Sequence, residues 1–205
     1  EDLIKGLIID QNKNIIKDEK ELIQYSYHVA GTVGLMMSKI IGVTTKESSA
    51  SAIDLGIAMQ MTNIARDVYE DSKMDRMYLP AEWLSNIEIK KLNGEKELTR
   101  NEEIKIAGAV HRLLDLSEKF YFNGYAGLKY IPLKTRLGIF IAANVYRGIG
   151  IKIRNKKNIY IKERIYLNSL EKILITFKTI FIFLFIPVLN YKYSRIRDKL
   201  PNENI

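Results

Sequence analysis

Helical periodicity is most informative in the stretch Gln60-Met-Thr-Asn63-Ile-Ala-Arg66-Asp67-Val-Tyr-Glu-Asp71. An α-helix advances about 100° per residue, so with Gln60 at zero, Asn63 falls at about 300°, Asp67 at about 340° and Asp71 at about 20°. The stretch therefore predicts a helix with four polar side chains on one narrow stripe. Three apolar side chains lie beside this stripe: Ile57, Ile64 and Val68.

The stripe has the chemistry of a divalent-cation site. Asp67 and Asp71 place carboxylates on adjacent turns, and the amides of Asn63 and Gln60 precede them, so all four offer the oxygen ligands that Mg²⁺ prefers. An apolar flank suits a substrate with a charged head and a hydrocarbon tail. The alternative is a solvated helix face, because a D-x-x-x-D spacing alone is common and like charges four residues apart slightly destabilise a helix.

A second unusual stretch lies upstream, Tyr25-Ser-Tyr-His-Val29-Ala30-Gly31-Thr-Val-Gly34-Leu-Met-Met37. Ala30, Gly31 and Gly34 remove side-chain bulk over about one turn, although each glycine in a helix interior costs about 1 kcal/mol relative to alanine. The stretch predicts the close approach of either another helix or a ligand. Tyr25 places its hydroxyl in a cavity or belongs to the core.

Capping signals and apolar spacing predict an all-α domain over residues 1–205, because strand-like alternation is sustained nowhere. Asp18 with Glu21, Thr44 with Glu47, Thr99 with Glu102, and Asn168 with Glu171 resemble helix starts, and Pro80 and Pro132 suit first turns. The predicted helices are 18–41, 44–71, 80–84, 99–122, 132–153 and 168–189.

Composition restricts the possible functions. The chain has no cysteine, which excludes disulfides, thiolate metal sites and a cysteine nucleophile. Its net charge of +8 suits nucleic acid, an anionic membrane surface or a polyanionic substrate. Nucleic acid is not an expected partner, because the basic residues lack the interleaved aromatics of a recognisable module.

The last predicted helix is apolar over residues 173–189 apart from Thr176, Lys178 and Thr179. A membrane-spanning helix needs about 20 apolar residues, so this stretch is slightly short. Three interpretations remain open: a buried core helix, a helix in the membrane interface, and a span.

Together the two stretches resemble the phytoene/squalene synthase family. The matching segments are 25–34 and 54–71, followed by Arg76-Met-Tyr78-Leu-Pro80 and, more weakly, by Val145-Tyr-Arg-Gly-Ile-Gly150 leading to Arg164. The likeness covers roughly residues 1–175, and its pattern is closest to the bacterial phytoene synthases.

The resemblance implies an isoprenoid-synthase-type helical bundle around a central apolar cavity. It implies head-to-head condensation of two geranylgeranyl diphosphates, through a cyclopropylcarbinyl diphosphate, to phytoene in carotenoid biosynthesis. The implied cofactor is Mg²⁺, with Mn²⁺ as the other candidate, and NADPH is not expected. The implied location is the cytoplasm, at the inner face of the membrane with peripheral contact.

Roles carried over from the family fall on matching positions. Tyr25 would face the reacting carbons, and Gln60 and Asn63 would support the metal–diphosphate cluster or the substrate. Arg66 would pair with carboxylates or phosphates. The implied metal ligands are Asp67, Asp71 and Asn63. The implied channel lining is Val29, Ala30, Gly34 and Met37, and the implied diphosphate contacts are Arg76, Tyr78 and Arg164.

One departure concerns the family's other aspartate-rich motif, which lies upstream of the segment corresponding to Tyr25. Before Tyr25 this chain offers Asp2, Asp10 and Asp18, and none forms a D-x-x-x-D on a predicted helix. The first motif and its N-terminal helices are therefore expected to be missing. The chain alone would hold half of the metal site and would be inactive.

Two other functions stay open. A squalene or dehydrosqualene synthase would use two farnesyl diphosphates, and its reduction step to squalene would need NADPH. A non-catalytic helical protein of the membrane surface, a different class, would fit the basic charge and the apolar last helix.

Overall fold

All regular secondary structure in the described residues is helical, which confirms the predicted all-α class. The computed structural model describes residues 1–11, 15–43, 45–85, 87–156, 164–185, 191–198 and 200. The α-helices are α1 (Asp2–Gln11), α2 (Glu19–Ser26), α3 (Thr32–Ile40), α4 (Lys46–Lys73), α5 (Ala81–Leu84), α6 (Ile89–Leu92), α7 (Arg100–Ala126), α8 (Leu133–Arg154) and α9 (Ser169–Phe185). A π-helical turn (Tyr27–Gly31) joins α2 to α3, and a 3₁₀ turn (Leu128–Tyr130) precedes α8.

Side-chain caps start the helices where the sequence predicted them. The Asp18 carboxylate accepts a hydrogen bond from the Glu21 amide (2.8 Å), and Thr99 with Glu102 forms a complete capping box. Asn168 and Glu171 cap α9 reciprocally. One start was wrong by a residue: the α4 cap is Thr45, whose side chain accepts from the Ser48 amide, and Thr44 lies outside the described residues.

Helix α1 was not predicted, and it carries both Asp2 and Asp10. The aliphatic side chains of Ile4, Leu7 and Ile8 are exposed, whereas Asp2 and Gly6 are buried, so the apolar side of α1 is not its buried side. Asp2 and Asp10 therefore lie on a helix that the sequence did not predict, but they are eight residues apart and form no D-x-x-x-D.

The centre of the fold is α4, which packs against α3, α7 and α8. Ile53, Ile57 and Met61 on α4 are fully buried. Helices α3 and α4 form an antiparallel hairpin whose backbones touch. A Cβ on Gly34 would lie 2.1 Å from the Ala52 carbonyl oxygen, and a Cβ on Gly56 would lie 2.3 Å from the Ala30 carbonyl oxygen. Of the two interpretations of the small-residue stretch, tight helix packing is confirmed.

The C-terminal segment 191–198 returns to the middle of α4 through a buried ion pair. The Arg197 side chain is 1% exposed and its Nε donates to Asp54 Oδ1 (2.7 Å). Asn123 on α7 donates to the other Asp54 oxygen (2.8 Å) and also pairs with the backbone of Ser194. A buried charge needs such compensation because desolvation disfavours its ionised form.

Helix α9 packs on α8 along one face, where Thr179 is buried. Its other face is exposed and apolar, with Leu174, Phe177, Phe181 and Leu184 each at least 60% accessible. The predicted apolar helix 173–189 is described as far as Phe185. Within the described parts of the chain, no helix combines the length and hydropathy needed to cross a bilayer.

Replacing Gly56 by alanine is expected to lower the free energy of unfolding by about 3 kcal/mol, because the methyl group would force α3 and α4 apart. Gly138 on α8 is the matched control: a Cβ there meets nothing within 4 Å, so Gly138→Ala should raise the free energy of unfolding by up to about 1 kcal/mol. Urea unfolding followed by circular dichroism measures both. Equal effects of the two substitutions would contradict the proposed backbone contact.

Candidate active site

An apolar cavity of about 420 Å³ lies between the α3–α4 hairpin and the helices α7 and α8. All four positions assigned to the prenyl channel line it: Val29, Ala30, Gly34 and Met37. Tyr146, from the weakest of the matching stretches, also lines it. The cavity is consistent with the implied substrate channel, and the binding role of these residues stays a prediction.

The polar stripe of α4 leads into this cavity. Gln60 and Asn63 line its wall, and Asp67 and Asp71 follow on the next two turns of the same helix. The Asn63 Oδ1 atom is buried and has no hydrogen-bond partner. A buried oxygen without a partner is energetically costly, so it marks a place where a ligand would be favourable.

Two arginines hold the Asp67 carboxylate. Arg66 makes a bidentate pair with it, Nε to Oδ1 at 2.8 Å and Nη2 to Oδ2 at 2.7 Å. Arg164, almost a hundred residues further along the chain, places Nε 2.7 Å from Oδ1 and donates from Nη2 to Oδ2 (3.1 Å). The excess positive charge beside Asp67 is the kind of environment that receives a polyanionic group.

Asp71 lies in a different environment. Burial, with the negative charges of Asp67 and Asp10, raises the pKa of Asp71 to about 7. The positive charge of Arg76 opposes that rise, and Asp71, Arg76 and Tyr78 line a small pocket beside the main cavity. Burial and neighbouring negative charges disfavour the ionised form of this carboxylate, so a nearby cation would stabilise it.

Asp10 is the functional candidate that the sequence did not reveal. Tyr25 donates its hydroxyl hydrogen to Asp10 Oδ1 (2.8 Å), and Tyr78 donates to the same oxygen. The two tyrosine rings stack, with centroids 4.6 Å apart. Burial raises the pKa of both tyrosines, so both remain protonated donors at neutral pH. No spacing pattern marks Asp10, because it meets Tyr78 across 68 residues of sequence.

This network changes the expected surroundings of Tyr25. Its ring is buried against Tyr78 and its hydroxyl is engaged by Asp10, and Tyr25 does not belong to the residues that line the main cavity. Its role at the reacting carbons therefore stays a prediction. The structure does place Asp10 and Tyr78 close to Asp71.

The donor set fits a hard cation. Asp67, Asp71 and the unpaired Asn63 Oδ1 are oxygen ligands of the type that Mg²⁺ or Mn²⁺ takes, together with water and substrate phosphate. Within the described ranges, no three acidic or histidine side chains come together as a metal cluster. These residues would hold one side of a cation that also binds other ligands.

Comparison with known proteins places this geometry in context. The squalene/phytoene synthase family profile matches residues 1–171. A phytoene synthase of Pseudescherichia vulneris is 39% identical over 153 residues, 75% of this chain and 48% of that protein. A 15-cis-phytoene synthase of Paracoccus sp. is 35% identical over 172 residues, 84% of this chain and 55% of that protein.

A solved structure shows the same helical arrangement. A dehydrosqualene synthase in complex with a ligand superposes with a TM-score of 0.74 at 25% identity, covering 89% of this chain and 64% of that one. This likeness confirms the predicted isoprenoid-synthase-type fold. The chain spans about half the length of the curated relatives it matches.

The metal-free protein is expected to lose stability as the pH rises from about 4 to about 7. An aspartate in an unfolded chain has a pKa of about 3.9, so between these values the folded state keeps a proton on Asp71 that the unfolded state has released. The Asp71→Asn variant should lack this loss of stability with rising pH. Its free energy of unfolding at pH 8 should therefore exceed the wild-type value by roughly 1–3 kcal/mol. Urea unfolding in EDTA at pH 5 and pH 8 measures it.

Glu70→Gln is the control, because it removes one carboxylate from the adjacent position, where the side chain is exposed and pairs with Lys73. This variant should keep the wild-type pH dependence. An Asp71→Asn protein with that same dependence would show that Asp71 does not titrate abnormally.

Proposed function

Because this chain belongs to the squalene/phytoene synthase family, we propose that it forms part of a prenyltransferase that condenses two geranylgeranyl diphosphates head to head to phytoene. The observation that carries the proposal is the α4 polar stripe, which ends in two carboxylates at an apolar cavity. The curated relatives that are phytoene synthases, at 35–39% identity, support this substrate.

Two arginines of the site would bind the diphosphate that leaves in the proposed reaction. In the proposed first step, the C1–O bond of one substrate breaks and diphosphate departs with the electron pair. Arg66 and Arg164, which both form ion pairs with Asp67, would bind that anion in this proposal. Bound Mg²⁺ would supply further positive charge that stabilises the departing diphosphate.

The apolar cavity protects the cation that remains. The allylic cation is attacked by the double bond of the second substrate, and loss of a proton gives the cyclopropylcarbinyl diphosphate. Departure of the second diphosphate, rearrangement and loss of a second proton then give phytoene. Water would capture either cation, so the side chains that line the cavity act by excluding water.

The Asp10 network would position groups around this chemistry. Tyr25 and Tyr78 both donate to one carboxylate oxygen of Asp10, which fixes their rings in a stacked pair. We propose that this network holds Tyr78 for contact with the substrate diphosphate and Tyr25 for its predicted place near the reacting carbons.

A second candidate, dehydrosqualene synthesis from two farnesyl diphosphates, is favoured by the structural likeness to a dehydrosqualene synthase. The two functions share the site and differ in the hydrocarbon length that the cavity holds. Neither needs NADPH, whereas reduction to squalene does.

We also propose peripheral membrane contact through α9. Its outer face presents Leu174, Phe177, Phe181 and Leu184 in a row, and the exposed Lys178 lies beside this row. Exposed aromatic and aliphatic side chains beside a lysine favour the interface of an anionic bilayer. The substrates and the product of the proposed reaction carry long hydrocarbon chains, which partition into a bilayer.

Replacing Asp67 or Asp71 by asparagine in the full protein should reduce phytoene formation from geranylgeranyl diphosphate and Mg²⁺ by roughly 100-fold or more, because a cation ligand is lost. Glu70→Gln, one position before Asp71, should keep wild-type turnover. Chromatography of the hydrocarbon products measures all three and distinguishes C40 from C30. Wild-type turnover by both asparagine variants would refute the prenyltransferase proposal.

Removing the apolar row should weaken membrane binding. The double variant Phe177→Ser with Phe181→Ser is expected to reduce co-sedimentation with phosphatidylglycerol vesicles at least about tenfold, because two exposed rings no longer enter the interface. Ile104→Ser changes a similarly exposed residue on α7 and should bind like wild type. Unchanged binding by the double variant would rule out α9 as the contact.

A further inference from the structure

The residues that line the cavity follow α4 over about four turns, which makes the cavity a channel along that helix. Its lining residues on that helix recur every three or four positions from Ser48 to Asn63. Fifteen residues of α-helix rise about 22 Å, so the channel reaches about this distance from the amide of Asn63. The carboxylates of Asp67 and Asp71 lie beyond Asn63, at the opposite end from Ser48.

Helix α3 follows the same channel in the opposite direction. Lining residues run from Val29 in the π-helical turn to Val43, just beyond the end of α3. The backbone contacts of Gly34 with Ala52 and of Gly56 with Ala30 fix this antiparallel register. The channel therefore ends at the short connection between α3 and α4.

Small and apolar residues build this far end. Ile41 and Val43 come from the connection, Ser48 and Ser51 from α4, and Leu128 and Ile131 from the 3₁₀ turn and the residue after it. Ser48 and Ser51 are 4% and 2% exposed. A Cβ on Gly127 would lie 2.4 Å from the Ser51 Cβ. The backbone just before the 3₁₀ turn therefore packs directly against α4.

We propose that Val43, Ser48 and Ser51 set the length of the prenyl chain that the protein accepts, and that they admit a C20 chain. This inference rests on the proposed function. A geranylgeranyl chain has a 16-carbon backbone that extends to roughly 20 Å with carbon–carbon bonds of about 1.5 Å, whereas the 12-carbon backbone of a farnesyl chain reaches about 15 Å. The first length matches the channel, and the second leaves its far end unfilled.

Unfilled apolar space makes the shorter ligand bind less tightly. Each methylene that leaves water contributes to affinity, and a void at the far end forfeits the contacts of its walls. Bulk added at Ser48 or Val43 would occupy the volume of the terminal isoprene unit. Such a variant should exclude the C20 chain and keep the C15 chain.

The test compares binding of geranylgeranyl and farnesyl S-thiolodiphosphates, in which sulfur replaces the bridging oxygen, by calorimetry with Mg²⁺ and the full protein. Wild type should bind the C20 analogue at least about tenfold more tightly than the C15 analogue. Ser48→Phe should lose that preference or reverse it, while its affinity for the C15 analogue stays within about threefold of wild type.

Two further variants keep the test interpretable. Val43→Phe adds bulk to the same end from the partly exposed connection, where folding tolerates it, and should shift the preference in the same way. Ile40→Phe is the matched control, because Ile40 is 78% exposed, lies at the same connection and does not line the cavity. It should keep the wild-type preference.

The outcomes separate the two proposals. If folded Ser48→Phe and Val43→Phe both keep the C20 preference, the assignment of the channel end is wrong and the prenyltransferase proposal stands. A wild-type protein that prefers the C15 analogue also overturns the assignment and favours dehydrosqualene synthesis. If wild type binds neither analogue, the proposed function itself fails.

Discussion

The contact between the backbones of α3 and α4 is the constraint on which the site depends. At Gly34 and Gly56 the two helices approach so closely that no side chain fits between them. Each glycine weakens its own helix by about 1 kcal/mol relative to alanine, so helix propensity alone would not select them. The contact fixes the hairpin register, and with it the direction of the cavity and the end at which the carboxylates lie.

Helix α4 is held on the opposite side as well. Asp54 lies about 200° around the helix from Ala52 and Gly56, which line the cavity. Its buried carboxylate is compensated by Arg197 and Asn123, which brings the chain beyond α9 back onto the middle of α4. The helix that presents the polar stripe is thus fixed between a glycine contact and a buried ion pair, and such rigid support is what the proposed metal and diphosphate site would require.

The two carboxylates of the stripe lie in different electrostatic environments. Asp67 is compensated by two guanidinium groups, whereas Asp71 is buried near two other carboxylates and its pKa rises to about 7. In the proposed function, the arginines beside Asp67 would bind an anionic head group, and Asp71 would be an oxygen ligand that a cation stabilises. One α-helical turn would then separate two complementary tasks, on the turns of α4 that follow the cavity-lining Asn63.

The sequence by itself determined the helices, most of their caps and the polar stripe, because capping and periodicity are local properties read within a few residues. The apolar lining at Val29, Ala30, Gly34 and Met37 was implied only by the resemblance to the phytoene/squalene synthase family, since the residues themselves predicted no more than the close approach of a helix or a ligand. Tertiary structure decided the rest. Asp10 reaches Tyr78, and Arg164 reaches Asp67, across 68 and 97 residues of chain, and no spacing rule connects positions so far apart. Tertiary structure also decided that α1 buries Asp2 and Gly6 and leaves its aliphatic side chains exposed. The end of the channel exists only where the α3–α4 connection, the start of α4 and the 3₁₀ turn meet, so packing of distant segments, rather than local pattern, sets its length.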